Sequence, residues 1–206
     1  MSPSAAVTSF LEQYQQALLL AVRVHARQIR EDTHNRHGLP LPYITHPVAV
    51  AALVQRHDGT ADQQLAALLH DVLEDGGREY ATEIRSRFGT QVLALVEFCT
   101  DGTPDASGAK PPWRLRKTAY LEHLAQASGE GLLVAACDKL VNLQAIRQDL
   151  AEVGDRLWDR FTGGKEGSLW YYQGLVAALT GRTEVPATLQ RALALELQQV
   201  LALARP

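Results

Sequence analysis

The sequence predicts an all-α fold, a single-domain helical bundle, and three observations carry that prediction. Apolar residues recur at helical spacing along most of the chain. Alternating β-branched runs, which mark strands, are scarce. Start and stop residues punctuate the apolar runs, with Thr60 ahead of one and Gly89 behind another.

Each element follows in order. Val7 to Arg30 reads as one long amphipathic helix, with Leu11, Leu18, Val22 and Ile29 near one face. Glu31 to Tyr43, rich in Asn, Gly and Pro, ends it as a loop. His46 and Pro47 open a second helix that runs to about Gln55. Proline favours the first helical position and turns its predecessor away from α geometry, so His46 is expected at the helix mouth. Thr60 to Gln63 matches a capping box and launches a third helix carrying LAALLHDVLED. Tyr80 to Phe88 is a further helix stopped by Gly89, and Gln91 to Cys99 is a buried one. Asp101 to Pro112 forms the second loop. Helices follow at Trp113 to Ala127, Leu132 to Arg147, Gly167 to Leu179 and Pro186 to Ala204. No internal repeat, heptad run or low-complexity segment interrupts them.

Length and composition narrow the function classes. A chain of 206 residues can bury a full core as one domain, expected over 1–206 with its centre at about 10–180 and an extra helix at about 186–204. A net charge of −3 argues against a general nucleic-acid binder, which carries a basic excess, but leaves room for a local basic patch. Cys99 and Cys137 each stand inside an apolar run and read as small core residues in a reducing compartment. The N-terminal residues carry no secretory pattern and no apolar run approaches membrane-spanning length, so a cytoplasmic location is the expectation.

Four residues carry the chemistry. His46, the adjacent pair His70 and Asp71, and the distant Asp138 all arise in helical stretches. Such a set can close around one divalent cation and leave positions open for water and substrate. A mixed shell of imidazole and carboxylate suits Mn, Fe, Co or Zn better than Ca. In an unbroken helix, His70 and Glu74 are four apart, as are Asp71 and Asp75, so both pairs are expected on adjoining strips of one face. Four ionisable groups beside LAALL are costly to bury without a cation. Asp138 and Asn142 repeat the offset of four. Each group alone has an ordinary reading: His46 as a cap or core histidine, Glu74 and Asp75 as solvated charge, Asp138 as a salt-bridge partner of Lys139 or Arg147. Their joint occurrence in apolar helices points to a metal site. Arg23, Arg27 and Arg30 fall at helical spacing on the first helix and could meet phosphate, as could Arg116, Lys117, Lys139 and Arg147; a solvated face is the competing reading. His25 is expected to be structural or to support a ligand without ligating, and His34 and His37 to be solvated loop residues.

With those residues named, the chain resembles the HD-domain metal-dependent phosphohydrolases, and more narrowly the small alarmone hydrolases of the RelA/SpoT homologue superfamily. The resembling segments are AVRVHARQIR, PYITHPVAVA, LAALLHDVLED, EIRSRFGTQVLALVEFCTD, WRLRKTAYLEHL and CDKLVNLQAI, spanning most of Ala21 to Ile146 in the family's order. The resemblance implies removal of the 3′-pyrophosphate of guanosine tetra- and pentaphosphate, with manganese (Mn2+) as the usual metal. It implies that His46, His70, Asp71 and Asp138 are ligands and that Glu74 and Asp75 position or activate the attacking water. It implies substrate contacts at Arg30 and Asn142, and more loosely at Tyr171, with Arg27 and Lys139 as further candidates.

Two departures fall where the base would sit. Glu31 replaces a second basic residue that family members place after Arg30, and the connection from Arg30 to Tyr43 is longer. Guanine against adenine, (p)ppGpp against (p)ppApp, is therefore open at this point. Another nucleotidase or phosphodiesterase of the same class, or a sensor that binds without turnover, are the competing functions; the ED pair argues against the sensor. The last helix, with leucines at 189, 193, 197 and 201, either covers the bundle or meets a second copy in a homo-oligomer.

Overall fold

A computed structural model describes residues 5–34, 39–102 and 109–205. They fall into two compact units, Met1–Pro104 and Asp105–Pro206. The fold is all-α apart from one short ribbon.

The first unit is organised around a short helix buried on every side. Its elements are α1 (Ala5–Val24), β1 (Ile29–His34), β2 (Pro40–Pro42), α2 (Thr45–Arg56), α3 (Ala61–Leu69), a π-helical turn (Val72–Gly76) and α4 (Tyr80–Cys99). α1, α2 and α4 all pack on α3. Leu65 to Leu69 are each at most 1% exposed, as expected of a helix apolar all round. Its start is fixed by the capping box: the Gln63 amide donates to Thr60 Oγ1 and the Thr60 amide to Gln63 Oε1.

The structure corrects the first helix in two ways. α1 ends at Val24, not Arg30, because the backbone from Gln28 onward finds other partners. The Tyr43 amide donates to the Gln28 carbonyl, and Ile29 pairs with Pro42 in an antiparallel ribbon. Glu31 to Tyr43 is thus partly strand, and Arg23, Arg27 and Arg30 do not share a helix. The expected apolar face is also out of phase. Leu11, Val22 and Ile29 are exposed, while Ala17, Leu20 and Ala21 are buried. Leu18, Leu19 and Leu20 give every phase a leucine, and the small residues beside Leu20 permit the close approach to α3.

α2 begins at Thr45, so His46 and Pro47 are its second and third residues instead of its mouth. Proline is tolerated there because first-turn amides have no intrahelical acceptor. The helix expected through Asp75 is corrected too. α3 stops at Leu69, His70 and Asp71 form a turn, and Val72–Gly76 is wound as a π turn, although the Asp75 amide still donates to the Asp71 carbonyl, the bond of an α turn. The winding thus changes from α to π across the run that holds Glu74 and Asp75. Gly89, at φ 93° and ψ 171°, breaks α4 between its two helical parts, a left-handed position that favours glycine.

The second unit holds α5 (Trp113–Gln126), α6 (Gly131–Val153), a 3-10 turn (Gly154–Arg160), α7 (Gly164–Leu179) and α8 (Ala187–Leu203). α6 outruns its expected end at Arg147, and the 3-10 turn had no clear sequence signal. Gly131 to Asp138 are all buried. α8 lies along α6 and α7, burying Leu189, Leu193, Leu197 and Val200, with Leu201 partly covered, so its apolar face covers this unit's own helices. No described helix is long and apolar enough to cross a membrane.

Candidate metal centre

Three of the expected ligands meet within the first unit. His46 comes from the first turn of α2, and His70 and Asp71 from the turn that ends α3. His46 Nε2 and His70 Nε2 are 3.2 Å apart. Asp71 Oδ2 lies 3.1 Å from His70 Nε2 and 3.6 Å from His46 Nε2. Both imidazoles are buried, at 4% and 2% exposure. Donors bonded to one cation at about 2.0–2.2 Å stand about this far apart, so the set fits a divalent metal.

The tautomer of His70 is fixed by its surroundings. His70 Nδ1 is 2.8 Å from the Ala67 carbonyl, which can only accept. Nδ1 therefore carries a proton, which leaves Nε2, facing His46 and Asp71, as the nitrogen that could ligate a metal. The Tyr43 hydroxyl donates to Asp71 Oδ2 at 2.7 Å. Sequence reasoning gave Tyr43 no role, although it stands three residues before His46 inside the PYI-x-HP element.

His25 is almost fully buried at 3% exposure just beyond α1. Its Nδ1 is 2.5 Å from Gln28 Oε1 and 3.7 Å from Asp75 Oδ2. Burial pulls its pKa below the usual imidazole value, against the opposing effect of Gln28. Its ring centroid is 4.8 Å from that of Tyr43. Glu74, in the π turn, is half-buried.

The arginines divide. Arg23 pairs with Glu83 at 2.5 Å, which also holds Arg87 at 2.6 Å. Arg27 is exposed in the turn after α1. Arg30 is half-buried on β1, its guanidinium 5.9 Å from the Tyr43 ring centroid. His37 lies outside the described residues, and only the backbone of His34 is described.

In the second unit, Asp138 is buried on α6 at 4% exposure. Lys139 Nζ donates to its Oδ2 at 2.5 Å and Asn142 Nδ2 to its Oδ1 at 2.6 Å. Burial works against the Lys139 ammonium, but Asp138, Tyr171 and Tyr120 hold its pKa well above the usual lysine value. Tyr171 is buried on α7 with Lys117 Nζ 4.7 Å from its ring centroid. Asp138, Lys139, Asn142 and Tyr171 thus belong to one neighbourhood. Arg147 is engaged elsewhere, by Glu196 at 2.7 Å, and Arg116 donates to the Pro111 carbonyl. Cys99 and Cys137 are buried thiols; burial, then Asp138, pushes Cys137 up to about 12.

Comparison with known proteins gives the family. The model of the HD domain matches residues 17–168. The chain is 33% identical over 135 residues to guanosine-3′,5′-bis(diphosphate) 3′-pyrophosphohydrolase MESH1 of Xenopus tropicalis, covering 65% of this chain and 69% of that protein. It is 38% identical over 87 residues to the bifunctional (p)ppGpp synthase/hydrolase SpoT of Escherichia coli, covering 42% of this chain and 11% of that much longer protein. A solved structure described as a metazoan ortholog of SpoT that hydrolyzes ppGpp superposes with a TM-score of 0.68 at 25% identity, covering 97% of each chain. With its His-Asp pair beside a second buried imidazole, and the family match running through most of its length, the chain belongs to the HD domain family.

Proposed function

We propose that this chain removes the 3′-pyrophosphate of the guanosine alarmones (p)ppGpp, with His46, His70, Asp71 and Asp138 as the ligands of one divalent ion, manganese. The observation that carries the reading is the convergence of His46 Nε2, His70 Nε2 and Asp71 Oδ2, with the His70 lone pair held inward by Ala67. The family match crosses from the first unit into the second, which supports Asp138 as the fourth ligand and both units as one catalytic domain.

The bound ion supplies charge that acidifies water and screens the phosphoryl oxygens. Glu74 or Asp75 orients that water and takes its proton. His46, His70 and Asp71 come from buried or packed segments, so their donors are held ready instead of being ordered at each turnover. In the second unit, the Lys139 ammonium, a candidate contact for a phosphate, is held on Asp138 and beside Tyr171. Arg30 and the exposed Arg27 stand on the ribbon side, where the purine is expected. The two buried free thiols suit a reducing, cytoplasmic setting.

Purified protein assayed with Mn2+ against ppGpp, ppApp and simple nucleotides tests the reading. Pyrophosphate release from ppGpp is the expected result. Preference for ppApp would redirect the base assignment. Release of single phosphate from ordinary monophosphates would move the chain to another branch of its family, and binding without turnover would make it a sensor.

A further inference from the structure

We propose that Tyr43 is a positioning residue that fixes the Asp71 carboxylate for the metal, an inference that rests on the metal reading above. Four contacts hold Tyr43 in place. Its amide donates to the Gln28 carbonyl at 3.0 Å, and its own carbonyl accepts from the His46 amide at 2.9 Å. Its ring centroid lies 4.8 Å from that of His25 and 5.8 Å from that of His46. The hydroxyl is thereby aimed at Asp71, donating to Oδ2 at 2.7 Å.

The acceptor atom gives that bond its meaning. Oδ2 is the oxygen that faces both imidazole Nε2 atoms, at 3.1 and 3.6 Å. A carboxylate oxygen carries two lone-pair directions. The phenol fills one, and the other side of the same oxygen faces the two imidazoles. As a neutral donor it orients the carboxylate without cancelling its charge, which an ammonium in the same place would do. Asp71 begins the π turn with no side-chain cap of its own, so this hydroxyl sets its orientation where a helix would otherwise have done so. Partners of this kind are worth about 10–100-fold in metal affinity.

Calorimetric titration of metal-free protein with Mn2+ tests the inference, comparing wild type with Tyr43→Phe, which keeps the ring and removes only the hydroxyl. The expected result is a dissociation constant raised about 10–100-fold, with most of the lost turnover recovered as Mn2+ is raised. Because added ion would also stabilise a poorly folded variant, thermal unfolding in chelator separates positioning from general damage: Tyr43→Phe should melt as wild type does without metal. Binding within twofold of wild type, or a rate loss that no Mn2+ concentration restores, overturns the proposal. If wild type itself binds no Mn2+, the metal reading fails and takes this inference with it.

Discussion

Replacing Asp71 by asparagine is the sharpest perturbation available at the proposed centre. The side chain keeps its shape, and its amide oxygen can still accept from Tyr43, so the metal-free fold should be nearly unchanged. What is lost is the carboxylate charge that stands 3.6 Å from His46 Nε2 and 3.1 Å from His70 Nε2. A ligand at one hundred times its dissociation constant stabilises the folded state by about 2.7 kcal/mol. For a chain of 206 residues, each kcal/mol moves the melting temperature by about 2–4 °C. Wild type should therefore gain roughly 5–10 °C on saturation with Mn2+, reversed by chelator. Asp71→Asn should lose nearly all of that gain at the same metal concentration. Thermal unfolding followed by fluorescence, with and without Mn2+, measures both. An equal shift in the variant, or none in wild type, refutes the reasoning.

Other expectations follow from the same geometry. Glu74→Gln should retain the Mn2+ thermal shift while turnover falls about 10²–10⁴-fold, the usual range for a lost general base; an unaltered rate would pass that role to Asp75. Gly76→Ala places a Cβ 2.8 Å from Val24 Cγ1 and 2.9 Å from the Tyr80 ring. It should cost about 1–3 kcal/mol in denaturant titration and slow turnover by moving the π turn. His25 has a folded pKa below its unfolded value near 6.5, so the unfolded chain binds more protons between the two. Stability from this group is complete above about pH 6.5 and is lost as pH falls through the folded value. Unfolding free energy should decline on acidification in that window, and His25→Gln should flatten the decline.

Sequence reasoning reached the helices whose ends carry chemical punctuation. Thr60 and Gln63 placed the start of α3, and Gly89 the break in α4, because a cap and a left-handed glycine are local events. The proposed ligands stood out for a similar reason, since His70 and Asp138 are ionisable groups inside apolar runs. Long-range partners explain the rest. The end of α1 depends on Gln28 and Ile29 finding Tyr43 and Pro42 across the ribbon, which no helical period encodes. Its buried face depends on which side can approach α3. The π turn at Val72–Gly76 is also hidden, because VLED suits an α-helix equally well. Tyr43 was in plain view within its motif, but its hydroxyl acquires a role only when Asp71, 28 residues onward, is folded beside it.

The seclusion of α3 has a consequence for how the centre would wear under stress. Amides in its last turn are expected to exchange with solvent only through global opening, and the Ala67 carbonyl that steers His70 belongs to that turn. The imidazole is thus tethered to the portion of its unit expected to exchange most slowly, while Arg27 stands in the exposed turn after α1 and Arg30 on the ribbon. Substitutions at those two arginines can accumulate at the edge and leave His46, His70 and Asp71 undisturbed until the whole unit melts.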